Sequence, residues 1–219
     1  MAKKNTKELT TEQKLQNNIS GFFQRNLKLL VICAAAVLVV VLAVVIISSS
    51  VNKAKDNAMI NIQDLENKVV SFNTLGDDDK ASLIAELEKA EQGKGYVSVK
   101  ASYLKGLAYY LQDKYQEAYD AFMASVDKDS DSYLAALALV NAAACQESLG
   151  NANAAVELYT RVSNNFEVSS VGAKALFNTG RIYYQQGNKE LAKTVFSQLV
   201  DKYPTSEYSA LASDVLVLM

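Results

Sequence analysis

A periodicity of 37 residues in the second half of the chain constrains its fold more than any other feature. Three kinds of position recur together at this spacing: a turn residue, an alanine and an aromatic residue. They are Asp113, Gly150 and Gly187, then Ala118, Ala155 and Ala192, and then Phe122, Tyr159 and Phe196. Three registers that repeat together predict a tandem array of units with one common fold.

Each unit has the pattern of two amphipathic helices joined by a short polar turn. Residues 103–126, 139–162 and 176–199 carry apolar positions at helical spacing on both sides of that turn. Glycine favours the turn because it adopts the left-handed conformation that ends a helix. The alanine lets the second helix approach the first, and the aromatic residue four positions later fills the space between them. We therefore predict an all-α fold of stacked pairs, since one pair cannot bury its own apolar face.

The units resemble the tetratricopeptide repeat over residues 99–204. The third unit has the motif spacing at Leu176, Gly180, Tyr183, Gly187, Ala192, Phe196 and Pro204. The first unit keeps Gly106, Tyr109, Tyr115, Ala118 and Phe122, and the second keeps Gly150, Ala155 and Tyr159. The second unit departs from the motif, with Ala143 and Gln146 at its glycine and first tyrosine positions. The resemblance implies an α-solenoid with three clear helical pairs.

Weaker matches flank these three units. One period earlier, Gly76 and Ala81 fall at the turn and alanine positions. An apolar stripe precedes them at Met59, Ile62, Leu65, Val69 and Phe72. Residues 49–98 are therefore predicted to hold a connecting helix and a degenerate N-terminal pair. Residues 205–219 are predicted to form a capping helix whose inward face carries Tyr208, Leu211, Val215 and Leu218.

A continuous apolar run, residues 29–47, contains no charged residue, glycine or proline. A helix of this length approaches the ~30 Å hydrocarbon core of a bilayer, so we predict a transmembrane helix at residues 29–48 in contact with membrane lipid. A cleaved signal peptide is the main alternative, although its apolar region would be only ~7–15 residues long. A buried core helix is disfavoured because soluble helices are seldom apolar on every face.

The charge distribution predicts the orientation of that helix. Residues 1–28 contain six Lys or Arg residues and two acidic ones, whereas the rest of the chain has an acidic excess. The positive-inside rule therefore places a basic tail, residues 1–28, in the cytoplasm and the repeats across the membrane. An acidic body also argues against nucleic-acid binding, which uses a basic surface.

The residue inventory argues against an enzyme. The chain has no histidine, which removes Ser-His-Asp and Cys-His catalysis and histidine metal ligands together. No phosphate-binding or dinucleotide glycine motif is present, and Cys33 and Cys145 do not make a disulfide framework. Asp77, Asp78 and Asp79 fit a helix start better than a cation site. We predict no enzymatic activity, cofactor or metal.

The resemblance implies a peptide-binding groove along the first helices of the pairs. Aromatic residues beside two or three cations there suit an extended apolar peptide or its carboxylate, although Leu104 and Leu107 replace polar groups of a full carboxylate clamp. The candidate groove residues are Lys100, Tyr103, Leu107 and Tyr110, then Val140, Asn141 and Ala144, and then Lys174, Phe177, Asn178, Arg181 and Tyr184.

The order of the segments resembles that of the YfgM-type single-span inner-membrane proteins, through the stretch of residues 22–28 that leads into the apolar run. This resemblance implies a bacterial inner-membrane adaptor with periplasmic repeats that assists protein export or envelope chaperoning. Its expected partners are Sec translocon subunits and periplasmic chaperones. A homo-oligomer, in which two copies of the chain pair, is a further alternative. The stretch of residues 202–208 resembles outer-membrane assembly and Tol-Pal coordinator proteins instead, which implies a scaffold for envelope assembly or cell division.

Overall fold

The computed structural model describes residues 10–166 and 170–219, in which all regular structure is helical. The all-α prediction is therefore confirmed. The chain divides into a unit that ends at Asp56 and a unit spanning Asn57–Met219, and residues 1–9 of the predicted cytoplasmic tail lie outside the described part. The helices are α1 (Thr11–Val70), α2 (Asp77–Glu91), α3 (Tyr96–Tyr110), α4 (Tyr115–Lys128), α5 (Tyr133–Ser148), α6 (Ala152–Asn165), α7 (Ser170–Gln185), α8 (Lys189–Lys202) and α9 (Glu207–Leu218), with a 3-10 turn at Phe72–Thr74.

A segment of α1, Ala35–Val70, is long and apolar enough to cross a membrane. Its most apolar window of 18 residues has a mean hydropathy of 2.5, and none of that window is buried. The apolar side chains Val40 and Ile47 are exposed. The alternative of a buried core helix therefore does not fit this window, although Ile62, Leu65 and Val69 at the end of the segment are buried.

In the unit Asn57–Met219, each helix from α2 to α9 packs on its neighbours in sequence. Additional contacts join α3 to α5, α5 to α7 and α7 to α9. The first helices of the pairs therefore lie side by side in one layer, and the fold is stabilised by contacts between neighbouring repeats.

The turns inside the three pairs are equivalent. Asp113, Gly150 and Gly187 have φ angles of 57°, 81° and 79°, in the left-handed region. The next amide in each turn donates to the carbonyl five residues earlier: Lys114 to Tyr109, Asn151 to Gln146 and Asn188 to Tyr183, at 3.1, 2.8 and 2.9 Å. This hydrogen bond satisfies a carbonyl at the helix end. Asp113 tolerates the conformation, and its carboxylate accepts a hydrogen bond of 2.7 Å from the Tyr115 hydroxyl.

A ring-against-glycine contact closes the first and third pairs. A Cβ atom added at Gly106 would lie 2.6 Å from the Phe122 ring, and one added at Gly180 would lie 2.6 Å from the Phe196 ring. The second pair has Ala143 and Tyr159 at these positions, both fully buried in the central core. The departure of the second unit from the motif is therefore accommodated within the core.

The end of α1 packs as the first helix of a pair with α2. Ile62, Leu65 and Val69 are buried with Leu83 and Leu87 of α2. The same cluster includes Ala101, Leu104 and Ala108, which belong to α3. The end of α1 and α2 therefore share one core with the first clear repeat.

The inward face of α9 agrees with the prediction at Tyr208 and Val215, which pack against the core, and differs at the other two positions. Leu211 is exposed and Leu218 is 84% exposed, whereas Ser209 and Ala212 are buried. Ser209 donates hydrogen bonds to the carbonyls of Leu199 and Tyr203, at 3.2 and 2.6 Å. The prediction for Leu211 and Leu218 was wrong because small residues, and not the largest apolar ones, allow α9 to lie close to α8.

The Glu91 carboxylate at the end of α2 joins three helices. It accepts hydrogen bonds from Ser102 at 2.7 Å, from Lys128 at 3.0 Å and from the Lys105 ammonium. The side chain is only 18% exposed. Burial opposes its ionisation, but the hydrogen bonds from Lys105, Ser102 and Lys128 outweigh that effect and lower the pKa of Glu91 below its usual value.

We expect Gly150→Ala and Gly187→Ala each to lower the free energy of unfolding by about 1–2 kcal/mol, because alanine is strained at positive φ. Asp113→Gly, at the equivalent turn, removes that strain together with the Tyr115 hydrogen bond and should change stability much less. Urea unfolding of the full chain in detergent, followed by circular dichroism, measures the difference. Unchanged unfolding midpoints for both alanine variants would contradict the assignment of these turns.

We expect Glu91→Gln to lower the free energy of unfolding by about 1–3 kcal/mol near neutral pH, since it leaves the partly exposed ammonium groups of Lys105 and Lys128 without their carboxylate. Because the pKa of Glu91 is lowered in the folded state, its ionised carboxylate stabilises the protein above the unfolded pKa of about 4.3. This stabilisation is lost as the pH falls through the folded pKa. The stability difference between wild type and variant should therefore shrink as pH falls from about 6 to about 3. Glu88→Gln, exposed on the same helix, is the matched control, and a pH-independent difference would contradict this account.

Candidate functional site

Polar side chains link each first helix to the next. Lys100 on α3 pairs with Glu66 on α1 at 2.6 Å, and Arg181 on α7 pairs with Glu147 on α5 at 2.5 Å. Both ion pairs are separated by 34 residues in sequence. The end of α1 therefore lies beside α3 in the same register in which α5 lies beside α7.

Between these two ion pairs, α3 and α5 are joined by a neutral hydrogen bond. The Asn141 side-chain amide donates to the Tyr103 hydroxyl at 3.1 Å. Burial raises the pKa of Tyr103, and this outweighs the hydrogen bond from Asn141. The phenol is therefore protonated at neutral pH. Lys100 also lies over the Tyr103 ring, 5.9 Å from its centroid.

Arg181 is held in a fixed orientation by three acceptors. Besides the Glu147 carboxylate, its guanidinium donates to the side chains of Gln185 at 3.2 Å and Asn178 at 3.5 Å. Glu147 is itself fixed, because its other oxygen accepts a hydrogen bond of 2.8 Å from the buried Tyr159 hydroxyl. Burial raises the pKa of Tyr159, so this hydroxyl stays protonated and keeps donating.

The aromatic candidates divide into packing residues and exposed residues. Tyr103 packs on Phe122 with ring centroids 5.7 Å apart, and Phe177 packs on both Phe196 and Tyr208 at the same distance. Tyr110 is half-buried and meets Tyr115 edge-on, while Tyr184 is 44% exposed. Tyr184 therefore presents more ring surface to a ligand than the other three, which are all half-buried.

The remaining candidates differ in their surroundings. Leu107 and Ala144 are half-buried, Lys174 is exposed near the start of α7, and Asn178 contacts Arg181. Val140 is only 3% exposed and belongs to the central core. Val140 is therefore a packing residue, because it occupies the part of α5 that faces the neighbouring helices.

Sequence reasoning missed the two carboxylates of this face. Glu66 and Glu147 neutralise Lys100 and Arg181, the cations on which a carboxylate-binding groove would depend. The signal available in the sequence was the repeated spacing of 34 residues between opposite charges, which differs from the repeat period by almost one helical turn.

The described part of the chain offers no group of three or more acidic, histidine or cysteine side chains that could hold a metal ion. Asp77, Asp78 and Asp79 occupy the first turn of α2, where carboxylates stabilise a helix N-terminus, and Asp77 pairs with Lys80 at 3.6 Å.

Cys145 is a free, fully buried cysteine on α5. Burial raises the pKa of its thiol to about 12. Because the thiolate is the reactive form, this side chain is a packing residue and not a nucleophile. The side chain of Cys33 lies outside the described residues.

In a Cys33→Ala background, we expect Cys145 to resist a thiol-specific chromogenic reagent at about pH 8 and to react fully once the protein is unfolded by denaturant. Adding Ser148→Cys, at the exposed end of α5, should introduce one rapidly reacting thiol and serves as the control. Fast labelling of Cys145 in the folded protein would contradict its burial.

Two sequence comparisons give matches to tetratricopeptide repeats. A family model described as a tetratricopeptide repeat matches residues 174–206. A "TPR repeat-containing protein" from Treponema pallidum (strain Nichols) is 26% identical over 133 residues, which cover 59% of this chain and 55% of that protein. The match thus spans about half the length of that relative. The crystal structure of MamA is similar with a TM-score of 0.49 and 21% identity, over 65% of this chain and 78% of that chain.

Proposed function

We propose that this chain is a tetratricopeptide repeat protein and that the face formed by the end of α1, α3, α5 and α7 binds protein partners. We call this face the groove. It contains the half-buried and exposed side chains that lie between three links from helix to helix, and these links are Glu66–Lys100, Asn141–Tyr103 and Glu147–Arg181. Proteins with these repeats bind proteins or peptides, so an adaptor role follows from the repeat type. The binding face within the repeats is our proposal.

One observation carries this proposal: neighbouring first helices are fixed to one another by Glu66–Lys100, Asn141–Tyr103 and Glu147–Arg181. These links hold the helices in a defined order across the groove and leave Tyr184 exposed and Tyr110 half-buried beside them. A preorganised face with accessible aromatic rings is typical of a protein-binding surface, because little side-chain entropy is lost when the partner binds.

The same proposal includes a membrane anchor and a location. The apolar segment of α1 would cross the bacterial inner membrane, and the basic residues before it, among them Arg25 and Lys28, would keep the N-terminus in the cytoplasm. The repeats would then lie on the periplasmic side. There they would assist protein export or envelope chaperoning, with Sec translocon subunits and periplasmic chaperones as partners.

In-cell photocrosslinking tests the groove and the partner class together. A photoreactive phenylalanine analogue at position 110 or 184 should crosslink to translocon subunits, a periplasmic chaperone or exported nascent chains, identified by mass spectrometry of the membrane fraction. The same analogue at Leu191, exposed on α8, is the control and should give none of these adducts.

Three outcomes would change the proposal. Adducts only with outer-membrane assembly or division proteins would favour a scaffold for envelope assembly. Adducts from position 191 and not from 110 or 184 would move the binding surface to the second helices. The absence of adducts at all three positions would contradict protein binding by the groove.

A further inference from the structure

Two of the three cations of the groove are neutralised by carboxylates of the groove itself. Lys100 has a side chain that is 13% exposed and donates to Glu66, and Arg181 donates to Glu147 and to two further side chains. The remaining groove cation, Lys174, is exposed at one end of the row. Most of the groove therefore presents no uncompensated charge to a ligand.

The uncharged side chains between the ion pairs form a strip of apolar surface. Val70, Leu107 and Ala144 lie 37 residues apart and so occupy the same register on α1, α3 and α5. Val70 is 84% exposed, Leu107 and Ala144 are half-buried, and Tyr110 lies one turn beyond Leu107. The strip crosses three neighbouring helices, which suits an extended segment laid across them.

From this arrangement we infer that the groove binds an extended, uncharged apolar segment of another protein and rejects acidic termini. This inference rests on the proposed function, whose ligand class it specifies. It also replaces the earlier expectation that the cations of the groove receive a peptide carboxylate.

The physical reason is charge complementarity. An acidic ligand would have to displace Glu147 from Arg181 or Glu66 from Lys100, and would leave a displaced carboxylate beside its own charge. Displacing Glu147 would also remove the acceptor of the buried Tyr159 hydroxyl. An uncharged segment covers Val70, Leu107 and Tyr110 while both ion pairs stay intact, and it gains the burial of that apolar surface.

Three fluorescent peptides with one extended core of leucine, tyrosine, serine and asparagine distinguish the ligand classes. One has both ends blocked, one adds aspartates and a free carboxylate, and one adds lysines. Binding is measured by fluorescence anisotropy with the full chain in lipid nanodiscs, and empty nanodiscs correct for partition into lipid. We expect the neutral peptide to bind at least about tenfold more tightly than the acidic one. We also expect its affinity to change little between about 0.05 and 0.5 M salt.

Two charge-neutral substitutions test the role of the ion pairs. Glu147→Gln keeps a side-chain oxygen for Tyr159 but releases Arg181, so it should tighten binding of the acidic peptide about fivefold or more relative to binding of the neutral peptide. Glu66→Gln releases Lys100 at the other end of the groove. It provides an independent test of charge compensation if the first variant is unstable. Glu190→Gln, exposed on α8, changes the net charge equally and should have no effect.

Tighter binding of the acidic or basic peptide to the wild-type chain would overturn the inference and leave the proposed function standing. An unchanged affinity of the acidic peptide for both groove variants would also overturn it, since charge compensation would then not be the cause. Binding of none of the peptides would overturn it as well. In that case crosslinks from positions 110 and 184 would still decide separately whether the groove binds proteins.

Discussion

Stacking of the repeats depends on a steric fit between a ring on the second helix and an absent or minimal side chain on the first. Phe122 and Phe196 occupy the space over Gly106 and Gly180, so close that a Cβ atom there would overlap the ring. This contact lets the two helices of a pair approach closely, and the close approach fixes where the next pair packs. The equivalent turns at Asp113, Gly150 and Gly187 give each second helix the direction that the contact requires.

The polar contacts between the first helices are made by side chains that the repeat motif does not specify. Two ion pairs and one amide–phenol hydrogen bond join these helices, and each uses a different combination of residue types. The ion pairs neutralise Lys100 and Arg181, two of the three cations of this face. The proposed groove therefore differs in chemistry from a clamp for peptide carboxylates, although its cations occupy corresponding positions.

The two ends of α1 have opposite environments within one helix. In the unit that ends at Asp56, apolar side chains such as Val40 and Ile47 are exposed, which is what the predicted membrane span would show. In the unit Asn57–Met219, Ile62, Leu65 and Val69 are buried against α2 and α3. The same residue types therefore serve a predicted membrane span in one part and a repeat core in the other.

The sequence was sufficient to predict the helical pairs, their turns and their order. Each of these features depends on a local pattern of residues, and that pattern recurs every 37 residues. The sequence also determined the apolar run near the N-terminus, whose length and composition are local properties. Only the packed structure shows that Glu66 and Glu147 neutralise Lys100 and Arg181, that Val140 is buried, and that Ser209 and Ala212 are the buried residues of α9. These features depend on the rotation and offset between neighbouring helices, and that geometry results from packing many side chains together.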